Sequence, residues 1–134
     1  MRGPFLGATI VASVIAPDAT ELTLEELRTV QLGVLVEFDR ICRANALTYY
    51  LAYGTLLGAV RHGGYIPWDD DIDVMMPRGD YDRLLEVFQT VAPPHLNLGS
   101  SKTRADWPFP WAKVGGDRTE LWDPLRPVPR FARD

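Results

Sequence analysis

Cysteine is nearly missing from this chain. Cys42 stands alone among 134 residues, which excludes an intrachain disulfide and a cysteine-built zinc cluster. Its helical spacing makes it a core residue, and a lone thiol fits a reducing compartment. Long apolar runs are missing too. Phe5 to Ala16 is mostly apolar, but a bilayer-spanning helix needs about 20 such residues, so no transmembrane segment is expected. Basic surplus is also absent: 14 Lys and Arg against 18 Asp and Glu give a formal charge of −4. Nucleic-acid binding needs a surface that neutralises phosphates, and this balance argues against it. No internal repeat or low-complexity segment interrupts the chain.

What is present suits one small globular domain. The chain is 46% hydrophobic and 24% charged, ordinary for folded material. Residues 1–22 are read as an N-terminal tail, although Arg2 and the apolar run after it share features with a secretory signal. Residues 23–122 carry the domain. Residues 123–134, rich in proline and arginine, are read as a second tail. A cytoplasmic location is expected, extending to the inner face of the membrane.

Thr23 followed by Glu26 forms a capping-box pattern. A long helix is predicted from Leu24 to Ala44, with Leu24, Leu27, Val30, Val34, Phe38 and Ile41 on one apolar stripe and Asn45 as its C-terminal cap. Thr48 to Tyr53 is β-branched and aromatic and reads as a strand. Gly54-Thr55 turns out of it into a short helix over Thr55 to Arg61, with Leu56, Leu57 and Val60 inward. The next helix follows Pro77, with Tyr81, Leu84, Leu85 and Phe88 buried, and Pro93-Pro94 ends it. Short strands follow near Leu96 to Leu98 and over Phe109 to Val114. Gly115-Gly116-Asp117 is read as a hairpin turn and Thr119 to Trp122 as its return strand.

The chemistry concentrates between Gly54 and Pro77. Asp71-Ile72-Asp73-Val74 reads as a strand, on which side chains alternate. Ile72 and Val74 then face the core, while Asp71 and Asp73 share the other face. Two carboxylates that close repel unless a cation sits between them. Hard oxygen ligands on a rigid element suit Mg²⁺, with Mn²⁺ as a substitute. Asp69 has the same parity and is a third candidate ligand if the strand starts early; Asp70 faces away. An Asp-rich run is also a common solvated turn, but this one passes directly into core-like residues.

Gly54 and Thr55, at the start of a helix, are candidates to cradle a phosphate through backbone N–H groups and a hydroxyl. Gly58, inside that helix, marks either tolerated weakness or close approach of another backbone or of phosphates. Arg61 and His62 are favourable at a helix C-terminus in any case; Arg61 is also a candidate to donate two hydrogen bonds to a phosphate. Tyr65 and Trp68 either pack the loop or offer rings on which a base or a cationic group stacks. Lys113 is read first as an exposed strand lysine and second as a phosphate contact.

The stretch YLAYGTLLGAVRHGGYIPWDDDIDVMMPRGDYDRLL resembles the signature of the LicD-type phosphotransferases, which include the fukutin-like proteins and belong to the nucleotidyltransferase-fold superfamily. The likeness covers Leu24 to Leu121 and is sharpest from Tyr50 to Leu85; it includes Arg61. It implies an α/β fold, a small mixed sheet flanked by helices. It implies cation-dependent transfer of a substituted phosphate, phosphocholine or a polyol phosphate, from a CDP-linked donor to a glycan hydroxyl. Relatives carry a further acidic strand motif after the equivalent of Lys113. VPRFARD does not match it, so the chain is expected to be short of the family pattern, with Asp117, Glu120 and Asp123 as substitutes or a partner chain completing the site. A non-catalytic nucleotide-binding remnant and a minimal nucleotidyltransferase are the competing expectations.

Overall fold

The structure is a computed structural model that describes residues 5–10 and 22–118. The predicted return strand Thr119–Trp122, the candidates Glu120 and Asp123, and the C-terminal tail lie outside the described residues.

Five strands form one mixed sheet. They are β1 (Phe5–Ile10), β2 (Tyr50–Leu51), β3 (Ile72–Pro77), β4 (Leu96–Gly99) and β5 (Ala112–Gly116), in the spatial order β2-β3-β1-β5-β4. β1 pairs antiparallel with β3 and parallel with β5; the other pairings are antiparallel. Three helices join them: α1 (Leu24–Ala44), α2 (Tyr53–His62) and α3 (Arg78–Val91). The α/β class and the mixed sheet expected from sequence are therefore present.

β1 corrects the reading of residues 1–22 as a tail, since Phe5–Ile10 is the middle strand of the sheet. Its apolar run was too short for a membrane and carried no clear alternation, so nothing local marked it as a strand.

α1 starts where the capping box placed it. The Thr23 N–H donates to Glu26 Oε2 at 2.8 Å and the Glu26 N–H donates back to Thr23 Oγ1 at 3.2 Å. Val34, Phe38, Ile41 and Cys42 are its buried face. They pack with Ile72, Val74 and Met76 of β3, Leu84 and Phe88 of α3, and Ala112 and Val114 of β5. Burial pushes the Cys42 thiol up to about 12, so it stays protonated and inert.

α2 differs from its prediction in two ways. It begins at Tyr53, so Gly54 and Thr55 lie inside its first turn, and the preceding strand shrinks to Tyr50–Leu51. Leu56, Leu57 and Val60, expected inward, are exposed. α2 sits beside β3 at the sheet's margin, and its close packing is made by Gly58 instead. A Cβ there would overlap the Gly64 carbonyl oxygen and come within 3.0 Å of the Ile66 nitrogen. Glycine lets the returning loop lie against the helix. Of the two expectations for Gly58, the close approach of backbone is the one observed.

The strand predicted over Phe109–Val114 starts later, at Ala112, and absorbs Gly115 and Gly116, which were expected to turn. Pro108 and Pro110 supply no N–H to a ladder and delay it. No described helix is long and apolar enough to cross a membrane.

Candidate active site

The site is built at the start of β3. Along this strand Ile72, Val74 and Met76 are fully buried toward the helices, and Asp73 and Met75 alternate to the opposite face. Asp69, Asp70 and Asp71 arrive on the loop just before it. Each offers a carboxylate oxygen, and these oxygens lie within 4.8 Å of one another. Asp70, expected to face away from the strand's ligand face, thus joins the group. Partial burial first, then the charges of Asp73, Asp69 and Asp70, push the Asp71 carboxyl up to about 6. Burial and like charge both favour the neutral form of a carboxyl.

α2 closes one side of this group. An added Cβ at Gly54 would lie 2.7 Å from Asp69 Oδ2, so only glycine lets the carboxylate come this near. The Thr55 hydroxyl accepts the Asp73 N–H at 2.9 Å, tying the first turn of α2 to β3. The N-cap position is Ala52, which has no side chain able to cap. The first N–H groups of a helix have no partner within it, and Gly54 and Thr55 of this first turn lie against Asp69 and Asp73. Tyr53, the first residue of the helix, has φ +48. A bulky residue in the left-handed region is a strained outlier, of the kind that collects at functional sites.

α1 closes another side, through residues the sequence reading passed over. Arg28 donates to the carbonyl oxygens of Ile66 (2.9 Å), Pro67 (3.0 Å) and Asp69 (2.7 and 3.1 Å). Its guanidinium also lies 4.8 Å over the Tyr65 ring. One turn on, the Gln31 Nε2 donates to the Asp70 carbonyl at 2.7 Å and its Oε1 accepts the Tyr65 hydroxyl at 2.8 Å. Arg28 and Gln31 bind backbone rather than carboxylate, and so fix the loop while leaving the acid groups outward. The available signal was Gln31, a polar residue with 1% exposure on the helix's buried stripe.

Lys113 is not the exposed strand lysine expected first. It is only 6% exposed, with Nζ 4.2 Å from the centre of the Phe109 ring. Register puts Thr9 opposite both Asp73 and Lys113, and directly paired residues share a face. Asp73 and Lys113 therefore stand in one row, two strands apart, which is about 10 Å at ordinary strand spacing. Trp107 packs on Gly99, the β4 partner of Lys113, and meets Phe109 edge-on. Arg61 is exposed in the last turn of α2. Seven residues of helix separate it from Gly54, about 10 Å of rise, and no described contact brings it to the acids.

Fold and site together define a mixed α/β domain whose chemistry gathers where one interior strand, one helix start and one acidic loop meet. The chain belongs to the LicD/FKTN/FKRP nucleotidyltransferase-domain family, whose model matches residues 46–114. Lipopolysaccharide cholinephosphotransferase LicD of Haemophilus influenzae is 39% identical over 104 residues, which are 77% of this chain and 39% of that protein. Human ribitol 5-phosphate transferase FKRP is 50% identical over 34 residues, 25% of this chain and 7% of that protein. Mannosyltransferase regulator 4 of Saccharomyces cerevisiae is 40% identical over 51 residues, 38% of this chain and 4% of that protein. The chain thus spans less than half the length of these relatives. No solved structure matches it.

Proposed function

We propose that this domain takes part in a divalent-cation-dependent phosphotransfer, in which a substituted phosphate moves from a CDP-linked donor to a glycan hydroxyl. One observation carries the reading: Asp69, Asp70 and Asp71 bring carboxylate oxygens within 4.8 Å of one another at the start of β3, next to Asp73 in the chain, and partial burial together with these neighbouring charges pushes the Asp71 carboxyl up to about 6. The donor set fits Mg²⁺ or Mn²⁺, since it is all carboxylate and without soft ligands. Asp71 and Asp73 would hold the cation, with Asp69 as a third ligand. A bound cation would supply neutralisation of diphosphate charge.

The chain's own groups do the rest. The uncapped N–H groups at the start of α2 bind phosphate oxygens, and Gly54 keeps that approach open. The Thr55 hydroxyl, held by the Asp73 N–H, keeps helix and strand in register with each other. Lys113, one row along the same sheet face, orients an anionic group by charge. The acceptor hydroxyl attacks in line with the departing cytidine monophosphate. Phosphocholine is the group named for LicD and ribitol phosphate the one named for FKRP; both are substituted phosphates. A cytoplasmic setting, at the inner face of a membrane where glycan acceptors are built, accompanies this reading, and a partner chain completing the acceptor side is part of it.

The test is calorimetric titration with CDP-choline, with and without Mg²⁺, on the wild type and on Asp71→Asn/Asp73→Asn, followed by assay of cytidine monophosphate release with a glycan acceptor. Binding that needs both Mg²⁺ and the aspartates, with monophosphate released, is expected. Nucleotide appearing on the acceptor would replace this reading with nucleotidyl transfer. Mg²⁺-dependent binding with no turnover would leave a nucleotide-binding domain only.

A further inference from the structure

Trp68 is the most exposed of the three tryptophans among the described residues, and the turn that carries it is held in place by hydrogen bonds. Its side chain is 76% exposed. Among the described residues its ring meets no other ring and its Nε1–H no acceptor. Yet the carbonyl groups on both sides of it, Pro67 and Asp69, are hydrogen-bonded by the one guanidinium of Arg28, and Ile66 before them is bound by the same group. The Asp69 N–H also donates to the Ile66 carbonyl at 2.9 Å, closing a tight turn around Pro67 and Trp68. The turn is anchored while the indole it carries contributes little packing to the fold. A rigid, amphipathic ring beside a polar site is the arrangement that makes tryptophan a binding anchor.

The structure also separates the two loop aromatics that sequence had treated alike. Tyr65 is committed to the fold: its ring lies under Arg28 and its hydroxyl binds Gln31. Trp68 is the one left outward, one residue from Asp69 and within three of Asp71.

We propose that Trp68 is a stacking surface for the nucleobase of a nucleotide whose phosphates lie at the aspartates, with Arg28 as the residue that positions it. This rests on the phosphotransfer reading for the location of the phosphates. The family's description as a nucleotidyltransferase domain favours a flat base over a trimethylammonium group, which an indole face would also accept.

The experiment measures Mn²⁺-supported binding of CDP, of phosphocholine and of inorganic pyrophosphate by calorimetry, with tryptophan fluorescence recorded in parallel. The proteins are the wild type, Trp68→Leu and Trp68→Phe. Stacking predicts that Trp68→Leu weakens CDP about tenfold or more, that Trp68→Phe recovers most of the loss, and that pyrophosphate shifts less than twofold. CDP is expected to quench wild-type fluorescence and to lose that quenching in Trp68→Leu. Unchanged CDP affinity in Trp68→Leu overturns the proposal. So does equal weakening of pyrophosphate, which makes Trp68 part of the scaffold, and so does loss confined to phosphocholine, which makes it a headgroup site. If the wild type binds neither pyrophosphate nor CDP, the phosphotransfer reading itself falls and the stack falls with it.

Discussion

Asp71 carries the consequence of partial burial among other acids. Its carboxyl titrates near 6, against 3.8 for an isolated aspartate, through burial first and the neighbouring acids second. A folded-state value above the unfolded one means that the folded chain holds the extra proton between about 4 and 6. That contribution to stability is fully present below about pH 4 and is lost as pH rises through 6. In chelator, the wild type is therefore expected to lose melting temperature relative to Asp71→Asn as pH goes from 4 to 7. Scanning calorimetry of the two proteins across that range checks the difference, and parallel curves would refute it. Added Mg²⁺ or Mn²⁺ at pH 7 is expected to reverse the loss in the wild type alone, because the cation replaces the proton.

Elements set where those acids stand, and two of them can be tested by single changes. Arg28 holds three carbonyl groups of the Ile66–Asp69 turn from a neighbouring helix. Replacing it with Met keeps the aliphatic stem but leaves those acceptors unpaired, at a cost of about 2 kcal/mol. The same change is expected to weaken Mn²⁺ roughly tenfold, as loss of a ligand's supporting contact does. Chemical denaturation and electron paramagnetic resonance titration measure the two effects, and a loss of stability with unchanged Mn²⁺ affinity would confine Arg28 to the scaffold. Gly58→Ala tests the opposite face of the same loop. Its new methyl meets backbone atoms, which cannot rotate away, so destabilisation of about 1–3 kcal/mol is expected. Denaturant midpoints with an unchanged slope check it.

The elements also show what a sequence discloses and what it withholds. α1 was legible in its bounds because a reciprocal cap is a local feature, and its stripe held at Val34, Phe38 and Ile41, while Leu24 at its start is exposed. The alternation of Ile72, Asp73 and Val74 was legible for the same reason. Leu56, Leu57 and Val60 misled because helical spacing shows that residues share a face, not which neighbour that face meets. α2 buries its glycine against a loop and leaves the leucines outward. Arg28 escaped notice because its partners are carbonyls some 40 residues away, and nothing local marks a donor for backbone. Lys113 was placed on a strand correctly, but its burial depends on Phe109 and on the strands beside it.

At the scale of the whole molecule, β1 is the joint. β3 brings the aspartates and β5 brings Lys113, and neither strand pairs with the other; each pairs with β1. Thr9 sits opposite Asp73 on one side and Lys113 on the other, so the row that crosses the site runs through this strand. Without β1 the sheet divides into two two-stranded pieces, β2-β3 and β5-β4, and isolated pairs of that size are marginal in water. Ile72, Val74, Ala112 and Val114, now in one core, would face a gap the width of a strand, about 5 Å from each neighbour. A chain lacking residues 1–11 is expected to lose its cooperative thermal transition and its amide dispersion in two-dimensional NMR, and with them Mn²⁺ binding. Gly7→Pro offers a finer version. Gly7 stands opposite Met75 in the β3 ladder, and proline removes a backbone donor inside a central strand, where it is not tolerated. A truncated chain that still melted cooperatively and bound Mn²⁺ like the full one would show that β3 and α1 hold the site without the joint.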